Sequence, residues 1–281
     1  MSAGEPRIHP ARRLNRRVRA ALGQASEFVR SLGATVHTGP LLILGNQKSG
    51  TTAIAALLSE MTGIRATLDL KKEMSDPVID HVKSGAMSFD AFVRRNKLDF
   101  SRPIIKEPSL TLFYDELSRY FPRSRFVMVI RDPRDNIRSI LDRVGIPGNL
   151  EGLDERELEG MSRAWRLILD NRWLGIEGGH YIDALAHRWN HAIDLYRRHS
   201  ERTVLSRYET FLDDKMGEIT RLAEVLGMPA RHDVSGRVDV QFQPAGNRGV
   251  RWVDFYGSDN LARIESICAE RMAGFDYDPS R

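Results

Sequence analysis

The sequence predicts a single α/β domain in which helices flank a central parallel sheet, preceded by a basic amphipathic helix. After residue 39, short continuously apolar segments alternate with segments of helical periodicity, which is typical of parallel strands buried on both faces. The 281 residues are 41% hydrophobic and 28% charged. This is a globular composition, and the chain is long enough to bury a sizeable core.

The predicted elements follow in order from residue 41. Strands are predicted where the chain is briefly and continuously apolar, at residues 41–44, 103–106, 125–130 and 202–206. Helices are predicted where apolar residues recur at steps of three and four, at residues 51–62, 110–121, 135–143, 181–199, 214–226 and 261–272. At the carboxyl edge of such a sheet the next helices begin, and their N–H groups favour a phosphorylated ligand.

The basic excess of the chain belongs to its first 38 residues. The net charge is +4, but residues 1–38 hold seven arginines and two acidic residues, a net +5, so the remainder sums to −1. Apolar spacing over residues 11–32 predicts an amphipathic helix with an arginine-rich face. Packing on the body and contact with an anionic membrane or partner both stay open. We therefore divide the chain into a basic tail and helix, 1–38, and one domain, 39–281.

Composition excludes several classes of protein. Cys268 is the only cysteine, which argues against disulfide frameworks and cysteine-rich zinc sites. No apolar run approaches the ~18 residues of a membrane span. A nearly neutral body argues against a nucleic-acid partner. His187 and His191 have zinc-like spacing but lack the glutamate of H-E-x-x-H. We expect a cytoplasmic protein without metal; peripheral membrane contact and a homo-oligomer stay open.

A glycine-bearing turn, GNQKSGTT at residues 45–52, joins the first strand to a helix. Such a turn forms an anion cradle from backbone N–H groups and the helix dipole. Gly45 and Gly50 have the spacing of the nucleoside-triphosphate P-loop, but Thr51 stands where that loop has its lysine. Lys48 lies within the turn, where it is placed for a short 5′-phosphate-type group. The pattern disfavours a kinase, which we keep as an alternative.

The KSGTT segment resembles the 5′-phosphosulfate loop of the sulfotransferase superfamily. These enzymes have a P-loop-like α/β fold, take 3′-phosphoadenosine 5′-phosphosulfate (PAPS) as donor and release 3′-phosphoadenosine 5′-phosphate (PAP), and the resemblance implies both nucleotides here without a metal. It also implies that Lys48 neutralises the leaving oxygen. The residues implied to hold the 5′-phosphate end are Gln47, Lys48, Ser49, Gly50, Thr51 and Thr52.

A second motif resembles the 3′-phosphate site of the same family. Arg131-Asp132-Pro133 follows the strand at 125–130, and Ser139 comes eight residues after Arg131. An arginine at a strand end offers a bidentate fork to a phosphate dianion. Read alone, the segment equally suits a helix start capped by Asp135 and laced with ion pairs. The order of the two motifs, each after its own buried strand, favours the family resemblance.

Two weaker matches extend the resemblance over residues 40–277. Tyr208, after the fourth predicted strand, resembles the tyrosine of a Y-E-[DT] segment that lies near the adenine. The segment NRGVRW, residues 247–252, resembles an abbreviated form of the C-terminal loop that closes on the 3′-phosphate. The resemblance implies Arg248 and Gly249 as ligands there, with Arg251 as a further candidate.

Sulfuryl transfer needs a base for the acceptor proton and positive charge at the oxygens that gain negative charge. The histidine segment of many cytosolic members is replaced here by IKEPS, residues 105–109. This segment is more similar to that of the carbohydrate and protein-modifying branches of the family. That resemblance implies a glutamate base shortly after the first helix. We favour Glu73, which lies 25 residues after Lys48, over Glu107, whose alternative role is a structural partner of Lys106. Lys106 is the expected helper near the sulfonate.

The acceptor is predicted only as a chemical class. Residues 144–180, which include Trp165 and Trp173, either cover an acceptor pocket or form a surface helical excursion. The resemblance implies in-line transfer of a sulfonate to the hydroxyl of a carbohydrate, lipid or natural-product small molecule. A P-loop-type nucleotide kinase and a non-catalytic module that binds an anionic surface are the alternatives.

Overall fold

A computed structural model describes residues 33–176, 179–240 and 249–277 of the chain. In these residues five parallel strands form one sheet of order β2-β3-β1-β4-β5. The strands are β1 (Leu41–Gly45), β2 (Ala66–Thr67), β3 (Ile104–Lys106), β4 (Arg125–Ile130) and β5 (Thr203–Arg207). Because β1 pairs with β3 on one side and β4 on the other, the chain leaves the middle of the sheet at Gly45. The predicted parallel sheet is confirmed.

Helices connect the strands and pack on both faces of the sheet. The described α-helices are α1 (Thr51–Thr62), α2 (Lys71–Ser75), α3 (Ile79–Lys83), α4 (Phe89–Arg95), α5 (Tyr114–Tyr120), α6 (Pro133–Val144), α7 (Glu155–Leu158), α8 (Arg163–Leu169), α9 (Tyr181–Arg198), α10 (Tyr208–Asp213), α11 (Lys215–Val225) and α12 (Trp252–Ala273). Short 3₁₀ helices lie at Asp99–Ser101, Pro108–Phe113, Arg172–Leu174, Ser200–Arg202 and Ser235–Arg237.

The alternation of side chains along β1 explains why its sequence is apolar throughout. Leu42 and Leu44 belong to the larger core cluster, with side chains of α6, α9 and α12. Leu41 and Ile43 point to the opposite face, where they join a second cluster with α1 and α11. All four are at most 3% exposed. A strand covered on both faces has no position that tolerates a polar side chain, which gives the continuous apolar run.

Several elements differ from the sequence prediction. Helix α6 begins at Pro133 rather than at residue 135, because the side chain of Asp132 accepts a hydrogen bond from Arg134 N at 2.9 Å and caps it. Asp135 is therefore not the cap. The predicted helix at 110–121 is a 3₁₀ helix followed by α5, and α12 begins at Trp252 with a bend at Gly257, whose φ is 70°.

The segment between α1 and β3 carries elements that the sequence pattern did not predict. Strand β2 has only two residues, and the helices α2, α3 and α4 have five to seven. Elements this short do not span the window over which periodicity is visible. The predicted helix at 11–32 lies outside the described residues. Among the helices that are described, none combines the length and the apolar character needed to cross a membrane.

Candidate active site

The loop between β1 and α1 has the backbone of an anion-binding turn. Lys48 and Gly50 adopt positive φ angles of 67° and 90°, and α1 starts directly afterwards at Thr51. The N-cap residue of this helix is Gly50, which has no side chain that could cap it. A helix start next to a left-handed turn directs backbone N–H groups into a concave site that suits an anion.

Tyr208 and Arg131 pack against this loop from two other strands. A Cβ atom at Gly50 would lie 2.2 Å from the Tyr208 ring, so no larger residue fits there. The Arg131 guanidinium lies 4.7 Å from the centroid of that ring. Its Nη1 also donates to the carbonyl oxygen of Lys48 at 2.9 Å. The structure thus brings together three residues that the sequence assigned to one donor, from the carboxyl ends of β1, β4 and β5.

Positive charge is concentrated around Lys48. Burial lowers the pKa of this lysine, and the charges of Arg143, Arg131 and Lys106 lower it further, against an opposing effect of Asp142. Lowering by three neighbouring cations means that the ammonium sits in a positive potential. Bound negative charge would relieve that repulsion. The residues therefore fit a ligand with several negative charges at this end of the sheet.

The second motif lies on α6, beside the C-terminal loop. Ser139 is buried on this helix, two turns after Arg131. Arg138 donates a hydrogen bond to the carbonyl oxygen of Val250, and Trp252 Nε1 donates to Asp135 Oδ1 at 2.8 Å. These contacts hold the segment that begins at Gly249 against the helix that carries Ser139. Arg248 lies outside the described residues.

The predicted ion-pair lacing of this helix start is also present. Arg134 pairs with Asp132 at 2.6 Å, and Arg138 pairs with Asp135 at 2.5 Å. Glu209, next to Tyr208, accepts a hydrogen bond from the Asp132 backbone N–H at 3.0 Å. The ion pairs order the helix that carries Ser139, so the structural interpretation and the predicted ligand-binding interpretation do not exclude each other.

A cavity of about 200 Å³ extends from the loop toward α2 and α8. The cavity is lined by loop residues, by the predicted glutamates Glu73 and Glu107, and by the predicted lysines Lys48 and Lys106. These residues come from separate elements of the fold. The loop residues and the polar side chains that line the cavity are Gln47, Lys48, Gly50, Thr51, Thr52, Asp69, Glu73, Lys106, Glu107, Ser109, Arg143 and Arg188. The rest of the lining is mainly apolar and consists of Met74, Pro77, Ile79, Pro108, Ser162, Ala164, Trp165, Leu167, Ile168 and Trp173.

Glu107 uses both carboxylate oxygens to hold the backbone around the cavity. Oε2 accepts from Leu70 N at 3.1 Å and Oε1 accepts from Ser109 N at 3.0 Å. Burial raises the pKa of Glu107, while Lys106 and these backbone N–H groups oppose the shift and Asp69 adds to it. Its contacts are those of a structural partner that caps the 3₁₀ helix Pro108–Phe113.

Replacing Glu107 by alanine should destabilise the protein. The change leaves the N–H groups of Leu70 and Ser109 without their acceptor, which costs about 1–3 kcal/mol for a buried group. We expect the free energy of unfolding in urea to fall by about that amount. Replacing the exposed Glu151 by alanine is the control. An equal effect of both changes would contradict the structural role of Glu107.

Glu73 is buried at 6% exposure on the cavity wall. Its Oε2 accepts from Val78 N at 2.8 Å, and its Oε1 has only weaker contacts, with Asn96 Nδ2 at 3.4 Å and Arg95 Nε at 3.6 Å. Burial raises its pKa, against the hydrogen bonds from Val78 and Asn96 and the charge of Arg95. A carboxylate with one firmly held oxygen and one weakly engaged oxygen is oriented and still able to accept a proton.

Asp69 and Arg188 line the same cavity, and neither was predicted from the sequence. Asp69 Oδ1 accepts from Lys106 Nζ at 2.5 Å, so it fixes the lysine that was predicted to help transfer. Arg188 lies in the middle of α9 and is 1% exposed. No local motif marks either residue. For Arg188, the signal available in the sequence was a charged residue within an otherwise apolar helix face, a pattern that is also common at packed surfaces.

Comparison with known proteins agrees with this geometry. The family model described as "Sulfotransferase domain" matches residues 38–243, which is well over half of the chain. The chain belongs to the sulfotransferase family. The resemblance that the two phosphate motifs indicated is therefore confirmed, as are the α/β fold and the enzyme class. The comparison with curated protein sequences found no significant match.

Solved structures with a similar fold carry sulfotransferase names. Sulfotransferase STF9 from Mycobacterium avium has a TM-score of 0.53 at 16% identity, over 91% of this chain and 81% of that one. The sulfotransferase domain of the Synechococcus PCC 7002 olefin synthase has a TM-score of 0.49 at 14% identity, over 86% and 97% of the two chains. Mouse sulfotransferase SULT7A1, complexed with PAP, has a TM-score of 0.49 at 13% identity, over 86% of this chain and 88% of that one. At this identity the similarity to STF9 shows a shared fold and nothing finer.

Proposed function

We propose that this sulfotransferase transfers a sulfonate from PAPS to the hydroxyl of a lipid or natural-product small molecule. One observation carries the proposal: a single cavity joins the cation-surrounded loop at Lys48 to the buried carboxylate of Glu73 and to an apolar wall. Such a cavity has a place for an anionic donor, a base and an acceptor side by side.

The donor supplies an activated sulfonate on a 5′-phosphate. We assign the 5′-phosphosulfate end to the loop from Gln47 to Thr52, because that loop offers N–H groups and a lysine in a positive potential. Arg131 and Ser139 would hold the 3′-phosphate. Tyr208 would border the adenine, and Gly249 with Arg248 would close over the 3′ end.

In the proposed transfer step, Glu73, Lys48 and Lys106 each have one role. The acceptor oxygen attacks sulfur, its proton passes to a carboxylate oxygen of Glu73, and the bond between sulfur and the 5′-phosphate oxygen breaks. Lys48 stabilises the negative charge that develops on that leaving oxygen. Lys106, held by Asp69, stabilises the sulfonate oxygens. Glu107 takes no part in proton transfer under this assignment.

The raised pKa of Glu73 gives a pH dependence. Burial favours the protonated form, so the base form is lost as pH falls through a value above the ordinary 4.5. We expect kcat to fall on the acidic side with a midpoint above pH 4.5, measured by initial rates in buffers of constant ionic strength. An acidic fall in kcat with its midpoint at or below pH 4.5 would contradict the assignment of the buried Glu73 carboxylate as the base.

The apolar part of the cavity lining favours an apolar acceptor over a carbohydrate. Glycans need polar partners for many hydroxyl groups, and the surfaces of α8 and Arg172–Leu174 that face the cavity offer mostly aromatic and aliphatic side chains. Arg163, at the start of α8, donates to the carbonyl of Pro77 and pairs with Asp80 at 2.5 Å. Residues of α8 and of Arg172–Leu174 line the cavity, which supports a role as pocket cover for this part of the segment 144–180.

Replacing Trp165 by alanine should weaken acceptor binding without affecting the nucleotide. Loss of a buried aromatic contact of about 2 kcal/mol raises KM for an apolar alcohol roughly 30-fold. PAP affinity, measured by calorimetry, should stay within about twofold. Replacing the exposed Val225 by alanine is the control. An unchanged KM would remove Trp165 from the acceptor site.

Nucleotide binding tests the proposed donor. We expect calorimetry to show binding of PAP in the presence of EDTA, and no comparable binding of ATP with magnesium. Sulfonate transfer should then be followed with radiolabelled PAPS and a panel of hydroxylated acceptors. A protein that ignores PAP but binds ATP with magnesium would be the kinase instead. Deleting residues 1–38 should leave transfer to a small acceptor intact, whereas a non-catalytic anionic-surface module would lose its binding.

A further inference from the structure

Arg188 is a buried arginine whose partners are all neutral. Its Nη2 and Nε donate to Gln47 Oε1 at 3.0 and 3.3 Å, Nε also donates to Asn46 Oδ1 at 3.2 Å, and Nη1 donates to Asn171 Oδ1 at 2.8 Å. Among the described residues, the polar partners of its guanidinium are these amide oxygens. The side chain is 1% exposed and lines the cavity.

The contrast with Arg134 shows that this environment is unusual in the same protein. Arg134 is equally buried but pairs with Asp132 at 2.6 Å and with Glu265 at 3.1 Å. A buried charge is ordinarily paired, because transfer out of water without a counter-charge is costly. Burial lowers the pKa of Arg188 to about 9, which still leaves it a cation at neutral pH. A bound anion would supply the counter-charge that none of these amide partners provides.

The hydrogen bonds of Arg188 also fix the orientation of Gln47. Two N–H groups of the guanidinium point at Oε1, so the amide nitrogen of Gln47 must face the other way. That nitrogen donates to Ser109 Oγ at 3.3 Å, and Ser109 lines the cavity. The amide of Gln47 has two N–H groups. Its donor end therefore faces the space that Lys48 and Lys106 also border.

We propose that Arg188 is a positioning residue for the sulfonate that is transferred: it holds the Gln47 amide with its N–H groups toward that sulfonate and supplies the positive charge behind it. The inference rests on the proposed function, since the anion is the sulfonate of PAPS. Gln47 makes the contact, and Arg188 acts through it. Donors fixed before the reaction stabilise developing charge without reorganisation.

The test compares PAPS with PAP, which differ by the sulfonate. In Arg188→Met we expect the Kd for PAPS to rise about tenfold, the Kd for PAP to change less than about threefold, and kcat to fall about 10²-fold. Arg188→Lys keeps the charge but not the fork, so it should recover part of kcat. Arg198→Met, an exposed arginine of the same helix, is the matched control and should change neither nucleotide affinity nor rate.

A second variant keeps the test decisive if Arg188→Met does not fold. Gln47→Glu gives Arg188 a carboxylate partner, so the melting temperature should hold or rise, while kcat falls about 10²-fold because the donor end and the free positive charge are both lost. Equal losses of PAPS and PAP affinity, or full activity of Gln47→Glu, would overturn the inference alone. A wild-type protein that binds neither nucleotide would overturn the proposed function and the inference with it.

Discussion

Replacing Lys48 by glycine should lower kcat by about 10²–10³-fold and leave the fold intact. The lysine ammonium is the proposed counter-charge of the leaving 5′-phosphate oxygen, and no other cation occupies the middle of the loop. Lys48 has a φ of 67°, a conformation that costs a non-glycine residue roughly 1–2 kcal/mol. Glycine removes that strain but loses more conformational entropy on folding. The two effects oppose each other, so stability should change little.

Glycine at position 48 also keeps the contact that anchors the loop. Arg131 donates to the backbone carbonyl of residue 48, which is present in the variant. We would measure kcat with radiolabelled PAPS and the free energy of unfolding in urea, with Lys83→Ala, an exposed lysine outside the cavity, as control. A Lys48→Gly protein that keeps more than about a tenth of wild-type kcat would show that the leaving oxygen has another partner.

The change Glu73→Gln should reduce kcat by about 10²–10⁴-fold, because glutamine cannot take the acceptor proton. The amide oxygen of glutamine can still accept from Val78 N, so the loop between α2 and α3 should keep its conformation. PAP affinity should stay within about twofold. The residual rate should also lose the acidic limb of the pH profile that the wild type shows.

Two other carboxylates serve as comparisons for Glu73. Glu107→Gln should change stability more than rate, since both oxygens of Glu107 hold backbone N–H groups. Asp69→Asn should weaken the hold on Lys106 and lower kcat by a smaller factor. If Asp69→Asn abolished transfer while Glu73→Gln remained active, the base would be Asp69.

The parts of the site that the sequence predicts are those carried by contiguous residues. An apolar run followed by a glycine turn and a helical pattern places Lys48 and Thr51 at the end of β1, whatever the rest of the chain does. The same reasoning places Arg131 after β4. Parallel strands then bring the two motifs to one edge of the sheet, as the structure shows. The roles of the individual site residues stay predictions, as does the division of the chain at residue 38.

Which aspartate of the second motif caps helix α6 was decided only by the folded chain. Asp132 and Asp135 both precede the predicted helix, and either suits an N-cap. In the structure Asp132 caps α6, and Asp135 pairs with Arg138 and accepts from Trp252. Trp252 comes from a segment 117 residues away, so no local pattern could have assigned Asp135 to it.

The amino-acid sequence by itself determined the parallel sheet, the glycine turn after β1 and the order of the two motifs that resemble those of the family, because these depend on neighbours along the chain. Tertiary structure decided what lies opposite them. It gave Glu107 its two backbone partners, paired Asp69 with Lys106, and placed Trp165 in the lining of the cavity. It also placed Arg188 on Gln47 across 141 residues. Such contacts are set by how helices pack on the sheet, and spacing along the chain carries no information about them.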